Sequence, residues 1–178
     1  MLVLLAGLPG VGKSTLAQAL ARARGALVLD KDRIRDSIFP ASEVDFSNPQ
    51  NALATEVMLM VAAYILERDP TKLVVLDGKP FSREVQREET RRLTERVATP
   101  FRLVHCVAPD EVVQGRLEAV AANDPRNLVA DRTFAKYQRI KGAFEPITGP
   151  HLVINTSKAL GCQLDACLRY LDEPDGER

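Results

Sequence analysis

Short apolar runs at Leu2–Ala6, Ala26–Leu29, Leu73–Leu76, Phe101–Val107 and His151–Ile154 are separated by longer stretches in which apolar residues return every three or four positions. The runs are rich in Val and Leu and do not alternate with polar residues, the pattern of strands covered on both faces. The intervening periodicity predicts helices near Lys13–Arg24, Lys31–Phe39, Pro49–Arg68, Arg83–Val97, Asp110–Ala121, Arg132–Phe144 and Gly161–Leu171. Strand and helix alternate throughout, so the expected class is α/β, a parallel sheet with helices on both faces. Asn48-Pro49 reads as a cap followed by proline in the first turn, and Leu53, Val57, Met60, Val61, Tyr64 and Ile65 then mark the face expected in the core. The mixed-charge run from Arg83 to Arg92 reads as a solvated helix face, with Glu88 and Arg92, and Arg91 and Glu95, one turn apart. Residues Pro40–Ser47 and Asn123–Asp131 read as loops, and 173–178 as a polar tail.

Composition narrows the class. A chain of 178 residues, 46% apolar and only 5% aromatic, fits one aliphatic α/β domain over residues 1–172. Lys plus Arg equals Asp plus Glu at 24 each, so no overall positive field recruits nucleic acid or an anionic membrane, although a local basic channel stays open. The first run starts at Leu2 and the longest apolar stretches are too short for a bilayer, so no leader or membrane span is expected and the expected location is the cytoplasm. Cys106, Cys162 and Cys167 lack paired metal-ligand spacing and read as packing thiols, and His105 and His151 sit in apolar runs as strand residues rather than ligands.

The chemistry begins directly after the first run. Gly7-Leu8-Pro9-Gly10-Val11-Gly12-Lys13-Ser14-Thr15 stands between a strand and a helix, the setting a phosphate-binding loop requires. Glycines let the backbone curl so that successive N–H groups, from Gly7 through Val11 to Thr15, point into one cavity at the positive end of the following helix. Lys13 can reach the β and γ phosphates, Ser14 can ligand Mg²⁺, and Thr15 is suited to the α phosphate. The expected ligand is a nucleoside triphosphate with Mg²⁺, taken as ATP, with GTP not separated from it.

In open parallel sheets, ligands lie beyond the carboxyl ends of the strands, so the polar residues after each run are the ones to weigh. After the second run, Asp32 and Arg35 lie one turn apart in Asp30-Lys31-Asp32-Arg33-Ile34-Arg35. A carboxylate there can take a hydroxyl proton, and an arginine can anchor an anionic acceptor. The alternative is that Asp30 caps the helix while Asp32 and Arg35 form an ordinary surface pair. After the third run, Asp77 ends four aliphatic residues in the manner of a metal-holding acid, followed by Gly78 and by Lys79, which is either solvated or in contact with phosphate or acceptor. A third group, Arg116, Arg126 and Arg132 with Lys136 and Arg139 beyond, reads as a basic lid over about 116–132. Thr156, in Asn155-Thr156-Ser157, would lie near the adenine or belong to a helix cap.

Taken together, Gly7 to Thr15, Asp32-x-x-Arg35, Asp77-Gly78 with Phe81 and Arg83, Arg116-Leu117, Tyr137 and Phe144-Glu145-Pro146 resemble the small P-loop kinases. That group includes the polynucleotide 5′-kinase domain, chloramphenicol phosphotransferase and zeta-toxin-like proteins, often labelled AAA-type ATPases. The resemblance implies a five-stranded sheet in the order 2-3-1-4-5, Asp32 as general base, Arg35 at the acceptor and lid arginines on ATP. Val120 stands where polynucleotide kinases often carry a further arginine. The leading expectation is transfer of the γ-phosphate of Mg·ATP to a hydroxyl of a small molecule. A polynucleotide 5′-hydroxyl kinase comes second, weakened by zero net charge and by the lack of aromatics among the basic residues. A nucleotide-dependent switch or ATPase module is the reading from another class.

Overall fold

In the computed structural model, which describes residues 1–123 and 133–174, five strands form one parallel sheet in the order β2-β3-β1-β4-β5. The strands are β1 (Leu2–Ala6), β2 (Leu27–Asp30), β3 (Val74–Asp77), β4 (Phe101–Val107) and β5 (Leu152–Asn155). Each lies within about a residue of its apolar run, and the order is the one the family resemblance implies. The helices are α1 (Lys13–Arg24), α2 (Lys31–Ile38), α3 (Asn48–Arg68), α4 (Glu84–Arg96), α5 (Asp110–Asn123), α6 (Phe134–Gly142) and α7 (Leu160–Asp172), with a 3-10 turn at Ala41–Glu43.

β1 is central and every one of its residues is buried, because helices cover both of its faces. Val3 and Leu5 point into a cluster with Leu16, Leu20, Val113 and Cys167, while Leu2, Leu4 and Ala6 point into a second cluster with Met58, Ala62, Leu66 and Leu93. Two cores on opposite sides of one sheet account for the continuous aliphatic runs. Register aligns the strand ends: Asp30 pairs with Asp77, and Ala6 with His105. The chemistry-bearing residues that follow these ends are thereby brought to one rim.

Helix α3 corrects the expected packing face. Its buried positions are Ala54, Thr55, Met58, Leu59, Ala62, Ala63 and Leu66. Leu53, Met60, Val61 and Tyr64 of the expected stripe are exposed, and Val57 and Ile65 are half-buried. The helix is apolar around most of its circumference, so periodicity alone leaves its rotation open. The small alanines let the backbone lie close against the sheet and settle it. Its cap is Ser47, whose hydroxyl accepts from the Gln50 amide at 3.4 Å, so Asn48 is the first helical residue rather than the cap.

The charged helix α4 is also not solvated all round. Arg87 is fully buried, whereas Glu88 does pair with Arg92 at 3.2 Å and also takes Arg91 at 2.6 Å. Of the three thiols, Cys106 and Cys167 are buried as expected and Cys162 is exposed. Among the described residues no helix is long and apolar enough to cross a membrane. Arg126, Arg132, most of the expected lid and the last four residues of the tail lie outside the described residues.

Candidate functional site

The loop between β1 and α1 takes the shape its glycines permit. Gly7 has φ 140°, and a Cβ there would lie 2.3 Å from the Cys106 carbonyl oxygen, so no other residue fits without moving β4. Gly12, at φ 92°, caps α1 with no side chain over the helix end. The amides of the first turn therefore face the loop cavity together with the positive end of the helix dipole. Lys13 is buried, and its ammonium donates to the carbonyls of Gly7 at 2.9 Å and Leu8 at 3.0 Å. Ser14 and Thr15 are exposed at the mouth.

The far side of the loop is fastened to the end of β5. The Thr156 hydroxyl donates to the Val11 carbonyl and its amide donates to the Val107 carbonyl at 2.8 Å. Arg116, from α5, donates to the Thr156 hydroxyl at 3.1 Å and the Thr156 carbonyl at 2.7 Å. Two residues picked separately from the sequence thus meet beside Gly12. Asn155 forms a local turn with Ser157 rather than capping α7, whose cap is Ala159.

The near side is made of carboxylates and cations. Asp30 accepts from the amides of Asp32 at 2.8 Å and Arg33 at 3.4 Å and so caps α2. Burial, and next the neighbouring Asp77, push the Asp30 carboxyl above its ordinary range. Asp77 is 1% exposed, and its Oδ1 has no hydrogen-bond partner among the described residues. A buried carboxylate oxygen left unpaired beside a second acid is costly unless a cation or its water shell completes it. The donor set, Asp77 with the Ser14 hydroxyl at the mouth of the loop, therefore suits Mg²⁺, which takes few protein oxygens and keeps waters and phosphates as its other ligands. Gly78 makes the approach possible: a Cβ on it would meet Asp30 Oδ1 at 2.6 Å and the Lys31 amide at 2.8 Å.

In the first turn of α2, Asp32 Oδ1 accepts from Lys31 Nζ at 2.7 Å and Arg35 Nη1 at 3.0 Å. This is not a surface pair. Arg35 is 3% exposed, reaches Asn51 at 3.3 Å and lies over the Phe46 ring at 4.3 Å. Lys31 is buried too and donates to the same Asn51 oxygen at 2.7 Å. Lys79 donates to the Thr55 hydroxyl at 3.1 Å, and its pKa is lowered by burial. On α6, Lys136 is lowered by burial and then by the charges of Lys31 and Arg139, while Asp32 opposes the shift. Asp32 therefore sits between the Lys31 and Arg35 cations, with Asp36 taking the other edge of the Arg35 guanidinium at 3.0 Å.

Sequence reasoning named Asp32 and Arg35 and missed Lys31 and Asn51, whose only signal was adjacency to a strand-end acid and to a helix start. It also missed Arg87, hidden in a charged run. Arg87 donates to the Phe81 carbonyl and the Pro146 carbonyl, each at 2.9 Å, and to Glu84 at 2.6 Å. It thereby ties the segment after α6 to the loop after β3, which in turn receives the Gly7 amide through the Pro80 carbonyl at 3.0 Å.

A parallel sheet ordered 2-3-1-4-5, with a glycine loop curling from the central strand into a helix, defines a P-loop nucleotide-binding protein. The chain belongs to the AAA domain family, whose model matches residues 2–147. It is 30% identical over 102 residues to an adenylate kinase of Campylobacter jejuni, a match spanning 53% of each chain, so it spans about half the length of that relative. Among solved structures it is similar to a kinase candidate from Chloroflexus aurantiacus, with TM-score 0.75, 23% identity and coverage of 96% of this chain and 98% of that one. It is also similar to the Mycobacterium tuberculosis APS kinase CysC in complex with AMPPNP and APS, with TM-score 0.72, 21% identity and 97% of each chain covered. The fold expected from the sequence is the fold of these P-loop kinases.

Proposed function

We propose that the protein is a phosphotransferase that moves the γ-phosphate of Mg·ATP to a hydroxyl of a small, anionic acceptor. The observation that carries this reading is the continuity of the rim: the start of α2 bearing Asp32 touches Gly78, and the loop after Gly78 holds the Gly7 amide. A proton acceptor and a phosphate cradle thus share one cleft. In this reading the amides from Gly7 to Thr15 and the Lys13 ammonium bind the phosphates. Ser14 and Asp77 would hold Mg²⁺, which offsets the phosphate charge when bound.

Asp32 accepts the acceptor's hydroxyl proton as that oxygen forms its bond to the γ-phosphorus, the bond to the β–γ bridging oxygen breaks, and ADP leaves with the electron pair. Lys31 and Arg35 keep the Asp32 carboxylate oriented, and Arg35 with Lys136 offers charge to an anionic group on the acceptor. Arg116, fixed on Thr156, and the lid residues Arg126 and Arg132 supply further positive charge to the nucleotide. The similarity to an APS kinase holding AMPPNP and APS supports both a nucleotide and an anionic second substrate.

Incubation with γ-labelled ATP and panels of nucleosides, nucleotides, sugars, antibiotics and 5′-hydroxyl oligonucleotides tests the reading. Label moving to a small molecule is the expected result, and transfer to the oligonucleotides with steep loss in salt would make the protein a polynucleotide kinase instead. Asp32→Asn is expected to lower transfer by about 10²- to 10⁴-fold while Mg·ATP affinity stays within about threefold. Transfer at the wild-type rate removes Asp32 as the base.

A further inference from the structure

Above the carboxyl end of β4 lies a cavity of about 260 Å³ that none of the residues assigned above explains. Leu8, Val11, Val107 and Ala108 give it an aliphatic wall, and the Phe144 ring, from the segment after α6, closes the opposite side. Phe144 lies nearly parallel to His105, with ring centroids 5.3 Å apart and planes at 15°. The charged residues at its edge are already spent on one another: Asp110 accepts from Lys141 and from the Tyr137 hydroxyl, each at 2.7 Å. His105 is neutral as well, its pKa pushed down to about 4 by burial and then by His151, Arg87 and Lys13. What its described lining residues offer a ligand is aromatic rings, methyl groups and one neutral imidazole, with their charges paired to one another.

The cavity wall touches both ends of the loop: Val11 and Val107 hold Thr156 through their carbonyls, while Leu8 lies at the other end and α6, which lends Tyr137 and Lys141 to the wall, carries Lys136 toward Asp32. A P-loop lysine reaches the β and γ phosphates, and here Lys13 Nζ sits on the carbonyls of Gly7 and Leu8. The Gly7–Leu8 end of the loop is therefore the γ end, where the acceptor must stand, and Leu8 is itself part of the cavity wall. The nucleotide leaves from the opposite end, toward Gly12, Arg116 and Thr156. At about 260 Å³ the cavity is smaller than a site for a whole drug-sized molecule and suits one ring of it.

We propose that this cavity takes an uncharged planar ring of the phosphate acceptor, held between the Phe144–His105 stack and the wall of Leu8, Val107 and Ala108. This rests on the kinase reading above and narrows its acceptor to a molecule that combines an anionic group, a hydroxyl and an aromatic or heteroaromatic ring. Arg87 then has a positioning role. Its bonds to the carbonyls of Glu145 at 3.3 Å and Pro146 at 2.9 Å, with its guanidinium 5.9 Å from the Phe144 centroid, hold the strap that carries the ring wall.

Titration of the methyl-labelled protein with benzimidazole, followed by NMR, tests the cavity without knowledge of the acceptor. Saturable shifts at the methyls of Leu8, Val11, Val107 and Ala108 are expected, weakened at least tenfold in Phe144→Ala and lost in Ala108→Phe, which fills the space. Mg·ATP affinity, measured by calorimetry on the same samples, is the independent reading of the phosphate loop. Absence of saturable shifts, or equal binding in Ala108→Phe with its fold intact by circular dichroism, overturns the ring subsite even when Mg·ATP binds normally. Displacement of benzimidazole by AMPPNP also overturns it, because the cavity would then serve the base of the nucleotide.

Discussion

The two sides of the cleft are built from different materials. On the side proposed for the nucleotide the groups facing the cleft are main-chain amides shaped by Gly7, Gly10 and Gly12, with Lys13 as the main charge. On the side proposed for the acceptor they are side chains, Asp32, Lys31, Arg35, Lys79 and Lys136, drawn from three segments of the chain. A cradle of amides recognises any polyphosphate and leaves little to vary, whereas a pocket of long side chains can change its acceptor by substitution without disturbing the loop. The fold is shared with several kinases, and in the proposed reading the residues that would discriminate lie in the part that the sheet does not dictate.

Breaking the nucleotide side has the largest expected effect. Lys13→Ala should lower turnover with ATP by about 10³-fold or more while thermal unfolding is little changed. Normal turnover in that variant would remove the phosphate-loop assignment. The acceptor side depends more on how its walls are held. Arg87→Leu leaves the carbonyls of Phe81 and Pro146 unpaired inside the protein and is expected to destabilise it by about 2–4 kcal/mol, read from urea denaturation.

Helix α3 gives a sharper contrast within one element. Met58→Ala removes a fully buried side chain and should cost about 2–4 kcal/mol, while Met60→Ala, at a position 70% exposed, should stay within about 0.5 kcal/mol. Equal effects would restore the rotation expected from the apolar stripe.

His105 supplies a smaller, pH-dependent effect. Its folded pKa, about 4, lies below the ordinary histidine value of 6.5, so between those values the unfolded chain binds more protons than the folded one. Stability should therefore fall as pH drops through the window from 6.5 to 4, by about 1–2 kcal/mol once solvent screening of the half-buried ring is allowed for. His105→Gln should flatten that part of the pH–stability curve, and an NMR titration of the His105 ring should show no midpoint above pH 5.

Sequence alone determined the class, the positions of the strands and the phosphate loop, because these depend on local rules: unbroken aliphatic runs in buried strands, and glycines where the backbone must curl. The pairing of Asp32 with Arg35 was legible for the same reason, being one turn of a helix whose start Asp30 marks. Tertiary structure decided what local rules leave degenerate. The rotation of α3 came from alanines packing on the sheet, and the burial of Arg87 from carbonyls 58 and 59 residues away that accept its hydrogen bonds. The meeting of His105 with Phe144 came from strand order, which carries the segment after α6 back over β4. A periodic pattern states that a residue lies on a face, and only the packed chain determines what that face meets.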